Sequence, residues 1–190
     1  MEKIIRIAKL LYNQYGIHKI SMGRIAKESD ISEDVLYSKF NNKEHLIVTC
    51  MKKEAASLRS SVEYIQEQSK SALEAVFFTC INQFYYNCSL YPSFFQDLSS
   101  FTEADNLWRN YQTEFRKTCT GYFMKGITEG DFLPDQNYEL TPIVLTEQLS
   151  TINMQKTVHQ KTKILATMHN VCTRKGKTHL IQLIEKKKTI

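Results

Sequence analysis

Three neighbouring residues, Tyr37, Ser38 and Lys39, carry side chains whose chemistry suits contact with a nucleic acid. A phenol can reach a phosphate or a thymine methyl group, a hydroxyl can bond to a base edge, and an ammonium can bind the phosphate backbone. The alternative role for Tyr37 is structural, as a half-buried brace against Phe40. DNA contact is the favoured interpretation, because other side chains already supply the inward face of this segment.

Two serines stand where helices are predicted to begin, Ser21 and Ser32. A serine there caps the helix with its hydroxyl, and it can also hold a phosphate oxygen together with free backbone N–H groups. Lys43 falls in the first turn of a predicted helix, where the helix dipole disfavours a cation. A bound phosphate would relieve that electrostatic cost. The alternative is that Lys43 is a tolerated surface charge. Arg24 and Lys27 are weaker candidates, since they could simply form a solvated face.

Two acids, Glu33 and Asp34, occupy the first turn of the segment that carries Tyr37. Negative charge stabilises a helix at that end, and a carboxylate can accept from cytosine N4. The same charges repel phosphates, so they predict a DNA-binding protein that is more selective than tight, with a shallow salt dependence.

Three short helices are predicted to position these side chains. Apolar residues three and four apart predict the first over Glu2–Tyr15, with Gly16 after its end. The second is expected over Met22 to about Ser29. The third is expected from Glu33 to about Lys39, with three residues facing inward: Val35, Leu36 and Phe40.

A long fourth helix should follow, because Asn41 and Glu44 have the spacing of a capping box. The helical period then continues to the polar stretch 66–71. That stretch is the clearest division of the chain by composition, since aromatic residues become more frequent beyond it.

Together these residues resemble the N-terminal domain of the TetR family. The resemblance covers about residues 1–48 without a gap, and its specific part is Leu36-Tyr37-x-x-Phe40 followed by Lys43-Glu44. It implies a helix-turn-helix DNA-binding domain, with the matching lysine on the DNA backbone. An acid at Asp34 departs from the family pattern, which more often has a small or basic residue there. The predicted DNA-binding residues are Ser21, Arg24, Ser32, Glu33, Asp34, Tyr37, Ser38, Lys39 and Lys43.

The resemblance also implies that residues 49–190 form a helical ligand-binding and dimerisation domain. Aromatic side chains recur there at helical spacing, which is typical of a core but also of an apolar cavity for an aromatic or amphipathic small molecule. The candidate ligand-binding residues are Phe77, Phe84, Trp108, Tyr111, Phe115 and Tyr122.

The last helices offer an apolar face for a homodimer, which a protein needs in order to read two half-sites of a pseudo-palindromic operator. Packing within one chain is the alternative. The residues are Ile143, Val144, Leu149, Ile152, Ile164, Leu165, Met168 and Val171.

Composition narrows the class of protein. The 190 residues carry a net charge of +5, with eight basic and six acidic residues in 1–48, eight and thirteen in 49–152, and nine and one in 153–190. Five scattered cysteines without a C-x-x-C pair indicate a reducing compartment, and neither a signal peptide nor an apolar membrane span is visible. A cytoplasmic location is therefore expected.

Neither a phosphate-binding glycine loop nor a metalloprotease motif is present, and the histidines are isolated. The sequence thus predicts no enzyme, cofactor or metal. A redox sensor using Cys80 and Cys88 is disfavoured, because both lie on an apolar stripe.

The sequence as a whole predicts an all-α protein: a three-helix DNA-binding domain over 1–48, joined by a long helix to a larger helical bundle over 49–190. The expected function is that of a dimeric, ligand-responsive transcriptional regulator, most simply a repressor that a small effector releases from its operator. The alternative is a helix-turn-helix adaptor that has lost operator binding.

Overall fold

The computed structural model describes residues 1–91, 93–141 and 157–188, and in these ranges the chain is helical without a strand. The predicted all-α class is therefore confirmed. The described helices are α1 (Glu2–Tyr15), α2 (Met22–Ser29), α3 (Glu33–Lys39), α4 (Lys43–Gln68), α5 (Ala72–Cys88), α6 (Phe94–Leu98), α7 (Thr102–Thr128), α8 (Thr157–Val171) and α9 (Arg174–Lys188).

The chain divides into two compact units. The first joins Met1–Ser60 to Ser89–Gln112, and the second joins Ser61–Cys88 to Thr113–Ile190. The boundaries of the units thus fall within α4, at the end of α5 and within α7. The predicted division near residue 48 concerns function, and it does not coincide with a boundary between the compact units. It stays a prediction.

In the first unit, α1 buries the apolar face that its sequence spacing predicts. Its buried residues are Ile4, Ile5, Ala8, Leu11 and Tyr12. The helix ends at Gly16, whose φ of 85° lies in the left-handed region that glycine adopts without a steric penalty. The chain then turns into α2 within a few residues, and α2 contacts both α1 and α3.

Two local predictions in this unit are wrong. Val35 is 42% exposed, so only Leu36 and Phe40 of the expected inward face are buried. A helix of seven residues turns only one narrow stripe inward, and Val35 lies beside it. The cap of α4 is Asn42 rather than Asn41, because the Asn42 Oδ1 accepts the backbone N–H of His45 at 2.8 Å.

In the second unit, α5 is buried on most of its surface. Its buried side chains include Leu73, Val76, Phe77, Cys80 and Phe84, which explains why its sequence is apolar nearly all round. The helix begins at a Ser-x-x-Glu box: the Ser71 hydroxyl accepts the N–H of Glu74 at 3.1 Å, and the Glu74 carboxylate accepts the N–H of Lys70 at 2.8 Å.

A short turn at Thr173 separates α8 from α9. Thr173 caps α9 by accepting the N–H of Gly176 at 3.1 Å, and its own hydroxyl donates to the carbonyl of Gly130 at 2.8 Å. A side chain on Gly176 would lie 2.0 Å from the carbonyl oxygen of Asp131, so a glycine is required for this close approach. No helix in the described part of the chain is long and apolar enough to cross a membrane.

Candidate nucleic-acid interface and ligand site

The outer face of α3 carries the three residues that the sequence singled out. Tyr37 is 46% exposed and Ser38 and Lys39 are exposed, whereas Leu36 on the opposite face is fully buried. The Ser38 hydroxyl donates to the carbonyl of Val35 at 2.8 Å. Because that bond uses the only hydroxyl proton of Ser38, its oxygen could still accept a hydrogen bond from a base, such as the amino group at cytosine N4 or adenine N6.

Both predicted serine caps are confirmed. The Ser21 Oγ accepts the N–H of Arg24 at 3.2 Å, and the Ser32 Oγ accepts the N–H of Val35 at 3.3 Å. Each serine is exposed, so the first turns of α2 and α3 open to solvent with backbone N–H groups that an anion can use.

The candidate cations differ in how they are held. Lys43 is half-buried, and its ammonium donates to the carbonyl of Ile17 at 2.7 Å. Burial lowers the pKa of this ammonium, although two of its three protons stay available for a phosphate. Arg24 is exposed and holds its guanidinium 4.4 Å from the ring centroid of Tyr15, a cation–π contact.

The two acids, Glu33 and Asp34, are also exposed at the start of α3. Eight of the nine predicted DNA-binding residues are thus exposed, and Lys43 is the half-buried one. The nine all come from the α2–α3 segment and the first turn of α4.

Sequence reasoning missed a clamp on the turn between α1 and α2. Asp97 of α6 accepts the backbone N–H of His18 at 3.2 Å through Oδ2, and the Ser100 hydroxyl lies 3.3 Å from the His18 ring nitrogen. Lys19 donates to the Tyr91 hydroxyl at 2.8 Å. These pairs are 79, 82 and 72 positions apart in the chain, so no local sequence pattern could indicate them.

All six candidate ligand-binding residues are buried, but they do not all lie in the same compact unit. Trp108 and Tyr111 lie in the first unit, where Trp108 stacks on Phe95 at 5.0 Å and on Tyr111 at 5.2 Å between ring centroids. The others lie in the second unit: Phe77, Phe84, Phe115 and Tyr122. The Tyr122 hydroxyl donates to Gln66 Oε1 at 3.1 Å, and burial raises the pKa of this phenol.

A groove of about 370 Å³ opens on the second unit between the end of α4 and one face of α5. Its walls include three aromatic rings, Tyr64, Phe78 and Tyr85, and among the described residues Glu74 is the one charged group that lines it. Ile65, Gln68, Ser69, Ile81 and Asn82 complete the lining. None of the six predicted ligand residues lines it.

Two signals in the sequence identify the α5 face that lines the groove, although not the groove itself. Ser71-x-x-Glu74 directly before an apolar run marks the start of α5, and this fixes which α5 residues share the face of Glu74. Phe78 and Tyr85 then follow at helical spacing from Glu74, beside the stripe of Phe77 and Phe84 rather than on it.

The fold and the exposed face of α3 define a helix-turn-helix protein with an attached helical bundle. Residues 4–50 match the family model of bacterial regulatory proteins of the tetR family. Over these residues the chain therefore carries the helix-turn-helix domain that this family model describes.

Solved structures share the fold over nearly the whole chain. A putative transcriptional regulator from Saccharomonospora viridis in complex with choline is 14% identical, with a TM-score of 0.77 over 91% of this chain and 97% of that chain. The ketosteroid transcriptional regulator KstR2 of Mycobacterium tuberculosis is 16% identical, with a TM-score of 0.69 over 91% and 95%.

FadR from Bacillus subtilis in complex with stearoyl-CoA is 15% identical, with a TM-score of 0.69 over 88% of this chain and 95% of that chain. No curated protein was found to match the chain significantly in sequence.

Proposed function

We propose that the protein is a homodimeric transcriptional repressor that binds a pseudo-palindromic operator through α3 and is released by a small effector. The observation that carries this proposal is the outer face of α3: Tyr37, Ser38 and Lys39 are exposed together over a buried Leu36. A helix placed in this way can present base-reading and phosphate-binding groups to a major groove without exposing its core.

The flanking groups would position α3 on the duplex. Ser21 and Ser32 would offer hydroxyls and backbone N–H groups to phosphates at the starts of α2 and α3, and Lys43 would add a cation. Arg24 would add to the positive electrostatic potential that attracts DNA. Asp34 would accept from cytosine, which gives selectivity at the cost of affinity for any phosphate.

The effector is proposed to be an aromatic or amphipathic molecule that carries a positive charge. The groove on the second unit favours this class, because three aromatic rings and one carboxylate line it, and no lysine or arginine of the described chain does. Aromatic faces attract cations, and Glu74 supplies the countercharge. The choline in the Saccharomonospora structure is likewise an organic cation. Binding by the six buried aromatic residues stays a prediction.

Dimerisation is proposed to use the C-terminal helices. Three of the predicted interface residues pack inside the protomer, because they are buried within the chain: Ile164, Met168 and Val171. Leu165 is half-buried, and Ile181 on α9 is 50% exposed and remains free to contact a second copy. Ile143, Val144, Leu149 and Ile152 lie outside the described residues. The effector would act by favouring one of two dimer states that differ in their affinity for the operator.

Fluorescence anisotropy with duplexes from the region upstream of the protein's own gene tests the proposal. A repressor of this kind binds one duplex in a sequence-dependent and salt-sensitive manner, and a scrambled duplex of the same composition more weakly. Binding that shows neither property would reject the operator and favour the adaptor. Expression of a reporter from the bound promoter then separates repression from activation.

A further inference from the structure

The guanidinium of Arg24 lies over the ring of Tyr15. Tyr15 is the last residue of α1, and Arg24 belongs to the first turn of α2. The Cζ atom of Arg24 is 4.4 Å from the centroid of the ring, well inside the distance of about 6 Å over which an aromatic face attracts a cation. Both side chains are exposed, and Tyr15 keeps 41% of its surface open to solvent. A tyrosine that the sequence did not assign to DNA binding therefore contacts a residue that it did.

This stack is what holds the side chain of Arg24. Among the described residues, that side chain forms neither a hydrogen bond nor an ion pair, and only its backbone N–H is bonded, to the cap Ser21. The Tyr15 hydroxyl also makes no hydrogen bond within the described part of the chain. All five N–H donors of the guanidinium thus stay available to a ligand.

Stacking and hydrogen bonding use different parts of a guanidinium. An aromatic ring attracts its face, whereas its N–H groups point outward in its plane and form a fork that fits two oxygens of a phosphate. A phosphate can therefore bind the edge of Arg24 while Tyr15 keeps the face. In a helix-turn-helix the helix before the recognition helix crosses the DNA backbone, so a phosphate is the anion that an exposed arginine of α2 would meet.

We propose that Tyr15 is a positioning residue for DNA binding: its ring orders Arg24 in the free protein, so that the guanidinium is ready to bind a backbone phosphate. An arginine that is already ordered loses less conformational entropy when it binds. This inference rests on the proposed operator binding and gives Arg24 a defined contact in it. A phosphate carries no base identity, so the gain in affinity applies to operator and random DNA alike.

The test compares substitutions that separate the ring, the hydroxyl and the cation. Y15L removes the ring and keeps an apolar side chain, Y15F removes only the hydroxyl, and R24Q removes the cation. Anisotropy across a salt series measures the affinity of the full-length protein for a random duplex and for the upstream duplex that it binds best. K27Q is the matched control, because Lys27 is an exposed cation of the same helix that stacks on no ring of the described chain.

We expect Y15L to weaken binding to both duplexes by about two- to tenfold, the usual cost of immobilising one long side chain on binding. Y15F should bind as the wild type does. R24Q should make the slope of log affinity against log salt shallower by about one, and Y15L should have no further effect in the R24Q background. In the K27Q background the effect of Y15L should remain in full. The proposal is overturned if Y15L binds DNA as tightly as the wild type or more tightly, or if its effect is equal with and without Arg24.

The order of the Arg24 side chain without DNA separates this inference from the proposed function. The protein has six arginines, so ¹⁵N relaxation can follow their Nε–H groups individually, and the signal that R24Q removes identifies Arg24. Its order parameter should be high in the wild type and in Y15F and should fall in Y15L. Equal mobility of Arg24 in the wild type and Y15L contradicts the positioning role, whatever the DNA affinities. If Arg24 is ordered by the ring but the wild type binds no duplex, the DNA-binding function itself is what fails.

Discussion

Asp97 of α6 holds the turn between α1 and α2 by accepting the backbone N–H of His18 at 3.2 Å. The turn fits against it closely, since a Cβ on Gly16 would lie 2.8 Å from Asp97 Oδ2 and 3.0 Å from the ring of Tyr91. A second bond, from the Ser93 hydroxyl to Asp97 Oδ1 at 3.1 Å, fixes the carboxylate. The segment that starts the DNA-binding helices is thus tied to a residue 79 positions later in the chain.

Replacing Asp97 with alanine should loosen this turn and weaken the effect of the effector on DNA binding. Loss of a hydrogen bond to a charged acceptor costs about 1.5–3 kcal/mol of unfolding free energy, which chemical denaturation measures. Operator affinity should fall modestly, while the effector-induced loss of affinity should shrink. Asp105→Ala, which removes a half-buried acid paired with the exposed Arg109 in the same unit, is the control. An unchanged effector response in Asp97→Ala would show that the turn carries no signal.

Lys39→Met should weaken binding to every duplex by a similar factor, because an exposed ammonium on α3 is expected to contact the backbone rather than a base. The slope of log affinity against log salt should become shallower by about one. Anisotropy on operator and random duplexes at several salt concentrations measures both quantities. Lys125→Met, an exposed lysine of the second unit, should change neither. A loss confined to the operator would mean that Lys39 reads a base.

Asp34→Asn should tighten binding to random DNA and steepen its salt dependence, because it removes a charge that repels phosphates. Discrimination between the operator and variants with a changed cytosine should fall by about 1–3 kcal/mol, the usual value of a good base contact. A panel of single-base operator variants provides the measurement. If affinity is the same at every salt concentration, the acid plays no part in DNA recognition.

An aromatic cation should bind the groove of the second unit, whereas the matching anion should not. Benzyltrimethylammonium and benzenesulfonate share a ring and differ in charge, so calorimetry with the two tests the predicted ligand class. Tyr64→Ala should cost about 0.5–1 kcal/mol of binding free energy, the value of one exposed cation–π contact. Tyr64 is 63% exposed, so its loss should leave the fold intact.

Glu74→Gln should weaken the cation while keeping an oxygen for the cap of α5. Met124→Ala, which alters an exposed residue of the second unit outside the groove, is the control. Equal binding of cation and anion, or loss of neither in the two groove variants, would reject the groove as the effector site.

Stability should fall at alkaline pH because of Cys50. Burial raises the pKa of this thiol from 9.0 to about 12. Between these values the unfolded thiol has lost its proton while the folded thiol keeps it, so the folded state binds more protons and the free energy of unfolding decreases as pH rises. From about pH 8 to about pH 10.5 the loss from this one group is about 2 kcal/mol.

Denaturation of wild type and Cys50→Ala at the two pH values isolates that contribution. Alanine removes the titrating group, so the variant should lose less stability over the interval than wild type does. A parallel fall in both proteins would assign the alkaline instability to other groups, such as Tyr138 and Cys172, whose pKa values burial also raises to about 12.

The local elements of the first unit follow from the sequence alone. Apolar spacing and the caps Ser21 and Ser32 predicted α1, α2 and α3 with the bounds that the structure has, because helix ends depend on residues within one turn. The exposure of Tyr37 followed from the same spacing. The errors, Val35 and the cap of α4, concern choices between neighbouring positions that differ little in local energy.

Tertiary structure decided the contacts between residues of different helices, which local sequence patterns do not determine. The hold of Asp97 on His18, the stack of Arg24 on Tyr15 and the groove beside Glu74 all depend on how helices pack after they form. The period of a helix tells which residues share a face, but it does not tell what that face will meet. The sequence therefore determined the first three helices and their exposed residues. The packing of the helices determined which residues distant in the chain are in contact.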